Sequence, residues 1–146
     1  MGLDMYLSAN HYISRYDNKG KMLSNKIGKA LGLTDVEVGN VTINAAYWRK
    51  DNAIHAWFVE NVQGGNDDCN EYDVSRDQLK ELVELCKKVL ENKDKASELL
   101  ETRSGFFFGS TTYDEWYFQG LEDTIKQLTK ALQLPEKWYF TYQASW

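Results

Sequence analysis

Both ends of the chain show the alternation of apolar and polar side chains that is typical of β-strands. Between residues 3 and 14 the apolar set is Leu3, Met5, Leu7, Ala9, His11 and Ile13. Between residues 138 and 146 the alternating set is Trp138, Phe140, Tyr142, Ala144 and Trp146. Because successive side chains of a strand point to opposite faces, each segment predicts a strand with one buried face. The final strand is expected either at the centre of a sheet or at an exposed edge that could pair with a partner.

The middle of the chain predicts one further strand and three main helices. Residues 36–45 alternate, with a change of phase at Gly39 and Asn40 that indicates a turn or bulge. One main helix is expected over residues 46–62. A second is expected to begin at a capping box of Ser75 and Gln78, and a third to begin at a capping box of Thr112 and Glu115 and to end at about residue 134. A shorter helix is expected over residues 24–33, and residues 105–109 (GFFFG) favour a buried extended segment.

These elements predict an α+β fold. We expect a small, mainly antiparallel sheet of about three strands, including both termini, packed with three main helices. Without a repeat or linker, residues 1–146 are expected to form one domain.

Composition excludes several classes of function. The net charge of −5 and the absence of a long Lys/Arg run argue against nonspecific nucleic-acid binding. No run of eighteen apolar residues predicts a membrane span, and the first residues lack the pattern of a signal peptide. The two cysteines, with Cys86 on an apolar helical stripe, favour a reducing, cytoplasmic environment. No metal or cofactor motif is present in the sequence, so we expect none to be bound.

The segment 47–57 (YWRKDNAIHAW) contains the strongest candidates for function. If it is helical, Lys50 lies near the centre of the apolar face, where it would face a pocket, reach water, or pair with Asp4. Trp48, Asn52 and His55 then share one flank, and Asp51 stands four residues before His55, in position to hold its imidazole. This flank is either a ligand site or a second packing surface.

Several strings of residues resemble one family. Residues 2–7 (GLDMYL), residues 47–59 (YWRKDNAIHAWFV) and residues 104–118 (SGFFFGSTTYDEWYF) are similar to small uncharacterised phage and prophage proteins, as is the C-terminal YQASW. The resemblance spans nearly the whole chain but implies no catalytic residues. It implies a viral accessory protein that acts inside a bacterium, where such proteins often bind host factors, including antiviral defence systems.

We therefore predict a non-catalytic binding protein of phage type that inhibits or modulates a host factor. One alternative is sequestration of a small nucleotide-like ligand, with Arg49 or Lys50 meeting an anion, Trp48 stacking and Asn52 reading an edge. A second alternative is a small enzyme that uses His55, with Asp51 or Asp4, as a general base. The aromatic content and moderate charge would also permit a homodimer. The predicted ligand-binding residues are Asp4, Tyr6, Tyr47, Trp48, Arg49, Lys50, Asn52, His55 and Trp116.

Overall fold

A computed structural model describes residues 2–146 of the chain. Its sheet has four strands: β1 (Asp4–Tyr12), β2 (Asn40–Arg49), β3 (Tyr72–Val74) and β4 (Tyr139–Ser145). They lie in the order β2-β1-β4-β3, and every neighbouring pair is antiparallel. The predicted α+β class and antiparallel sheet are confirmed, with the three-residue strand β3 as an addition. Since β4 lies between β1 and β3, its aromatic residues belong to the sheet interior and not to a free edge.

Five helices accompany the sheet. They are α1 (Asn18–Ala30), α2 (Asn52–Asn61), α3 (Arg76–Glu91), α4 (Ala96–Leu99) and α5 (Glu115–Ala131), with a 3-10 turn before α4. Leu3, which precedes β1, and the inward side chains of β1 from Met5 to Ala9 are fully buried against residues of α2, α3 and α5. Cys86 of α3 is buried in this core as predicted. Within residues 2–146, no helix combines the length and apolarity that crossing a bilayer requires.

The two predicted capping boxes have different outcomes. At α3, the Ser75 hydroxyl accepts from the Gln78 N–H at 3.1 Å and the Gln78 amide oxygen accepts from the Ser75 N–H at 2.9 Å, so this box is confirmed. The box at Thr112 is wrong, because the Asp114 carboxylate accepts from the Tyr117 N–H at 3.1 Å and α5 begins at Glu115. An aspartate is as good an N-cap as a threonine, so composition alone did not locate the first turn.

The prediction of a helix over residues 46–62 is wrong for its first six residues. Residues 46–49 extend β2, with Tyr47 opposite Tyr6 and Arg49 opposite Asp4, and α2 begins only at Asn52. The short alternation of buried Ala46 and Trp48 with outward Tyr47 and Arg49 also fits a strand, and pairing with β1 decides between the two. The predicted strand 36–45 accordingly starts later, at Asn40.

Two other segments differ from prediction. The GFFFG run is a tight turn, since the Phe108 N–H donates to the Gly105 carbonyl at 3.1 Å; Phe108 is buried and Phe106 is 95% exposed. The short helix is α1, which starts earlier than predicted because the Asp17 carboxylate caps the Gly20 N–H at 2.7 Å.

Candidate functional site

A cleft of about 470 Å³ opens where β2 leads into α2. Residues 47–53 form one side, the loop from Thr102 to Asp114 forms a second, and one face of α5 forms the third. Six of the nine predicted site residues line it: Tyr47, Trp48, Arg49, Lys50, Asn52 and Trp116. The other three, Asp4, Tyr6 and His55, lie outside its lining.

Lys50 occupies a constrained turn between β2 and α2. Its φ of 57° lies in the left-handed region, which is costly for a residue with a Cβ. The turn is held because the Lys50 N–H donates to the Leu3 carbonyl at 2.8 Å. Its aliphatic stem passes two glycines closely: a Cβ at Gly109 would lie 3.4 Å from its Cβ and Cδ, and one at Gly2 would lie 2.9 Å from its Cε. The predicted position on a helical apolar face is therefore wrong, and the exposed side chain borders the cleft.

Asp4 pairs with Arg49, not with Lys50. The Arg49 Nη1 lies 2.8 Å from both Asp4 carboxylate oxygens, and the Tyr47 hydroxyl donates to one of them. These bonds, that from Tyr47 foremost, hold the pKa of Asp4 below its usual value. The Tyr6 ring stands 5.4 Å from the Tyr47 ring on the same outer face of the sheet. Asp4 and Tyr6 thus support one rim of the cleft from outside.

Trp48 and Asn52 line the cleft, but their side-chain polar atoms form hydrogen bonds within the protein. Trp48 is 4% exposed, and its indole N–H donates to the Thr124 hydroxyl at 2.8 Å. Asn52 donates to the carbonyls of Phe108 and Ser110 at 2.9 and 2.8 Å, and its amide oxygen accepts from the Arg103 N–H at 3.1 Å. Since both amide hydrogens of Asn52 are used, the predicted edge-reading role is wrong, as is the stacking role of the buried Trp48.

His55 is fully buried in the core. Its Nδ1 lies 2.8 Å from the Tyr142 hydroxyl and its Nε2 lies 2.9 Å from an Asp67 carboxylate oxygen. The carboxylate of the expected partner, Asp51, makes no hydrogen bond to the imidazole; only the backbone N–H of His55 donates to the Asp51 carbonyl, at 3.0 Å. Asp67 is bridged in turn by Arg103 Nε at 3.1 Å, so a histidine proposed as a general base is instead a structural crosslink. Burial lowers the pKa of His55, an effect that the hydrogen bond to Asp67 opposes.

Asp51 also lines the cleft, although the sequence predicts it only as a partner of His55. Burial raises the pKa of its carboxyl to about 7, the charge of Asp123 adds to the rise, and the Ile54 N–H opposes it. Asp51 approaches α5 so closely that a Cβ at Gly120 would collide with its carboxylate. A glycine within an amphipathic helix costs about 1 kcal/mol, so Gly120 was the sequence signal of a close approach.

Trp116 is the most exposed aromatic side chain of the cleft. It lies in the first turn of α5 and is 84% exposed. The hydroxyl groups of Ser110 and Thr112 and the carboxyl groups of Asp114 and Asp123 line the same space. The cleft therefore offers the Trp116 ring, the Lys50 ammonium group and several hydrogen-bonding groups.

In the part of the chain that the structure describes, no three His, Cys, Asp or Glu side chains group in a way that could hold a metal ion. Comparisons with protein-family models, curated proteins and solved structures found no match.

Proposed function

We propose that this protein acts by non-catalytic binding, as an accessory protein of phage type that holds a host protein through the cleft beside Trp116. The phage setting rests on the resemblance of the sequence strings. The binding role rests on the cleft.

The observation that carries the proposal is the exposure of Trp116. A tryptophan at 84% exposure leaves a large apolar area in water, at a cost that a globular fold normally avoids. Tryptophan is one of the residue types that are enriched among the hot spots of protein interfaces. His55, the residue predicted as a general base in the enzymatic alternative, is enclosed and has both ring nitrogens bonded, which disfavours that alternative.

Removal of the Trp116 ring tests the proposal. Wild-type protein, Trp116→Ala and the control Tyr16→Ala are immobilised, and the proteins that each retains from a bacterial lysate are quantified by mass spectrometry. Tyr16 is the matched control because it is 76% exposed and lies outside the cleft. We expect one or more proteins to be retained by wild type and Tyr16→Ala and to fall at least about tenfold with Trp116→Ala. Identical retained sets for all three would overturn the proposal.

A second candidate is a small nucleotide-like ligand. It is favoured by Lys50, for which no carboxylate lies within ion-pair distance anywhere in residues 2–146, so its ammonium group is free for an anion. Nucleoside mono- and triphosphates at millimolar concentration should then raise the melting temperature of wild type and of the surface control Lys80→Ala, but not of Lys50→Ala. An unchanged melting temperature in wild type would exclude this candidate and leave the first untouched.

A further inference from the structure

Helix α1 carries a charge opposite to that of the rest of the protein. Between residues 15 and 30 there are five cationic side chains and one carboxylate, Asp17, giving +4. Because the whole chain has a net charge of −5, the remainder carries −9. The Asp17 carboxylate is already bonded to the N–H of Gly20. None of the five cations takes part in an ion pair within residues 2–146.

The helix also turns its small residues inward and its large ones outward. Its buried residues are Gly20, Ser24 and Gly28, and at Gly20 the backbone of Ser14 approaches so closely that a Cβ would collide with it. Met22 and Leu23 are exposed, at 60% and 39%. An amphipathic helix that packed in the usual sense would bury those two side chains, so their exposure leaves an unpartnered apolar surface.

The exposed lysines and Met22 form one row along the helix. Lys19, Met22, Lys26 and Lys29 follow at spacings of three, four and three residues, which places them on the same face, with Leu23 beside them. Charge and apolar area are therefore interleaved on a single surface.

We propose that this face of α1 is a docking surface for an acidic amphipathic segment of a partner protein. Carboxylates repeating at helical spacing would meet Lys19, Lys26 and Lys29, and apolar side chains between them would cover Met22 and Leu23. The surface shares no residue with the lining of the cleft, so this proposal is independent of the proposed function.

Three other occupants fit the same face less well. A symmetric pairing of α1 with α1 of a second copy would oppose two sets of four lysines and lose affinity by repulsion. An extended polyanion such as RNA would meet the acidic remainder of the molecule beyond α1. A membrane-surface helix separates its apolar face from its lysines, whereas here both occupy one row.

A designed peptide provides the test. The probe is a fluorescent helical peptide with glutamates at spacings of three, four and three residues around a leucine pair, titrated with the full chain and followed by anisotropy. We expect wild type to bind it, and the variant Lys19→Glu/Lys26→Glu/Lys29→Glu to bind at least about tenfold more weakly, since each close charge pair adds to the affinity. The control Lys80→Glu/Lys88→Glu/Lys130→Glu changes the net charge equally on exposed sites of α3 and α5 and should match wild type to within about twofold.

Four results would overturn the proposal. They are no binding of the peptide by wild type, equal loss in both triple variants, tighter binding of a single-stranded oligonucleotide, or tighter binding of phosphatidylserine vesicles. Circular dichroism verifies that each variant is folded. If the triple variant does not fold, Lys26→Glu alone replaces it, and this single variant should weaken binding of the peptide by a smaller factor.

Discussion

At the scale of single residues, two buried side chains with polar atoms, His55 and Trp48, connect segments that are distant in the chain. His55 joins α2 to Tyr142 of the central strand β4 and to Asp67 of the loop after α2. Trp48 joins β2 to α5 through Thr124. Each has a specific partner for its polar atoms, which is the condition for burying them without a large penalty.

Replacement of His55 should therefore destabilise the fold. His55→Leu removes both hydrogen bonds and leaves the Tyr142 hydroxyl buried without a partner, and we expect a loss of about 2–4 kcal/mol of unfolding free energy. Tyr142→Phe removes the hydroxyl but keeps the ring that stacks on Phe58, and should cost about 1 kcal/mol. Urea denaturation of both variants measures these two losses of unfolding free energy. A His55→Leu protein as stable as wild type would show that the crosslink contributes nothing.

Asp51 should make stability depend on pH. Its folded pKa of about 7 exceeds the usual value of 3.8, so the folded state binds the extra proton between these limits. The protonated Asp51 carboxyl therefore contributes to the free energy of unfolding at low pH, and this contribution is lost as the pH rises through about 7. We expect Asp51→Asn, which cannot ionise, to gain about 1–3 kcal/mol relative to wild type between about pH 5 and pH 8.

His55 makes stability depend on pH in the opposite direction, but its effect is the same in wild type and in Asp51→Asn. Because its folded pKa lies below 6.5, its contribution is present above that value and is lost as pH falls. Both proteins retain His55, so its effect cancels when their unfolding free energies are subtracted at each pH. If the difference between wild type and Asp51→Asn stays constant with pH, the shift assigned to Asp51 is refuted.

At the scale of elements, two helical glycines should respond oppositely to the same substitution. A Cβ at Gly28 of α1 would rest 3.6 Å from Val36 Cγ2, an ordinary contact, so Gly28→Ala should stabilise by about 0.5–1 kcal/mol through helix propensity. A Cβ at Gly120 of α5 would collide with the Asp51 carboxylate, so Gly120→Ala should destabilise by about 1–3 kcal/mol.

A double variant separates the collision from any other effect. Gly120→Ala/Asp51→Ala removes the carboxylate that the new methyl group meets, and we expect much of the loss caused by Gly120→Ala to be recovered relative to Asp51→Ala alone. Thermal unfolding of the four proteins completes the cycle. Additive changes would show that Gly120 has no special relation to Asp51.

Elements with a clear period or cap were predictable from the sequence, and those decided by distant partners were not. The twelve-residue alternation gave β1, and the Ser75–Gln78 box gave the start of α3, because both patterns are local. The turn at Lys50 and the extension of β2 through Arg49 depend on pairing with Asp4 and Tyr6, some forty residues earlier in the chain. Trp116 was predicted for the cleft and Asp51 was assigned the wrong role, since the proximity of Asp51 to Gly120 is visible only in three dimensions.

At the scale of the whole molecule, stability should be distributed unevenly. The central strands β1 and β4 bury Met5, Leu7, Phe140 and Tyr142 against the helices, whereas α1 buries only Gly20, Ser24 and Gly28. Few buried apolar contacts mean a low free energy of local opening. We expect the amide hydrogens of α1 to exchange at least about tenfold faster than those of α5, measured by hydrogen exchange with mass spectrometry. Equal protection would place α1 in the same cooperative unit as the core.

The amide of Asn52 has a consequence for whatever enters the cleft. One side chain holds the backbone at Arg103, Phe108 and Ser110, so both arms of the loop that borders the cleft are fixed to the first turn of α2. A ligand therefore meets a cleft wall that is already held in place before binding, so little conformational entropy is lost in ordering this wall when the ligand binds. Because this loop is attached to α2, substitutions in the core beneath α2 that move the helix would change the selectivity of the cleft without contacting the ligand.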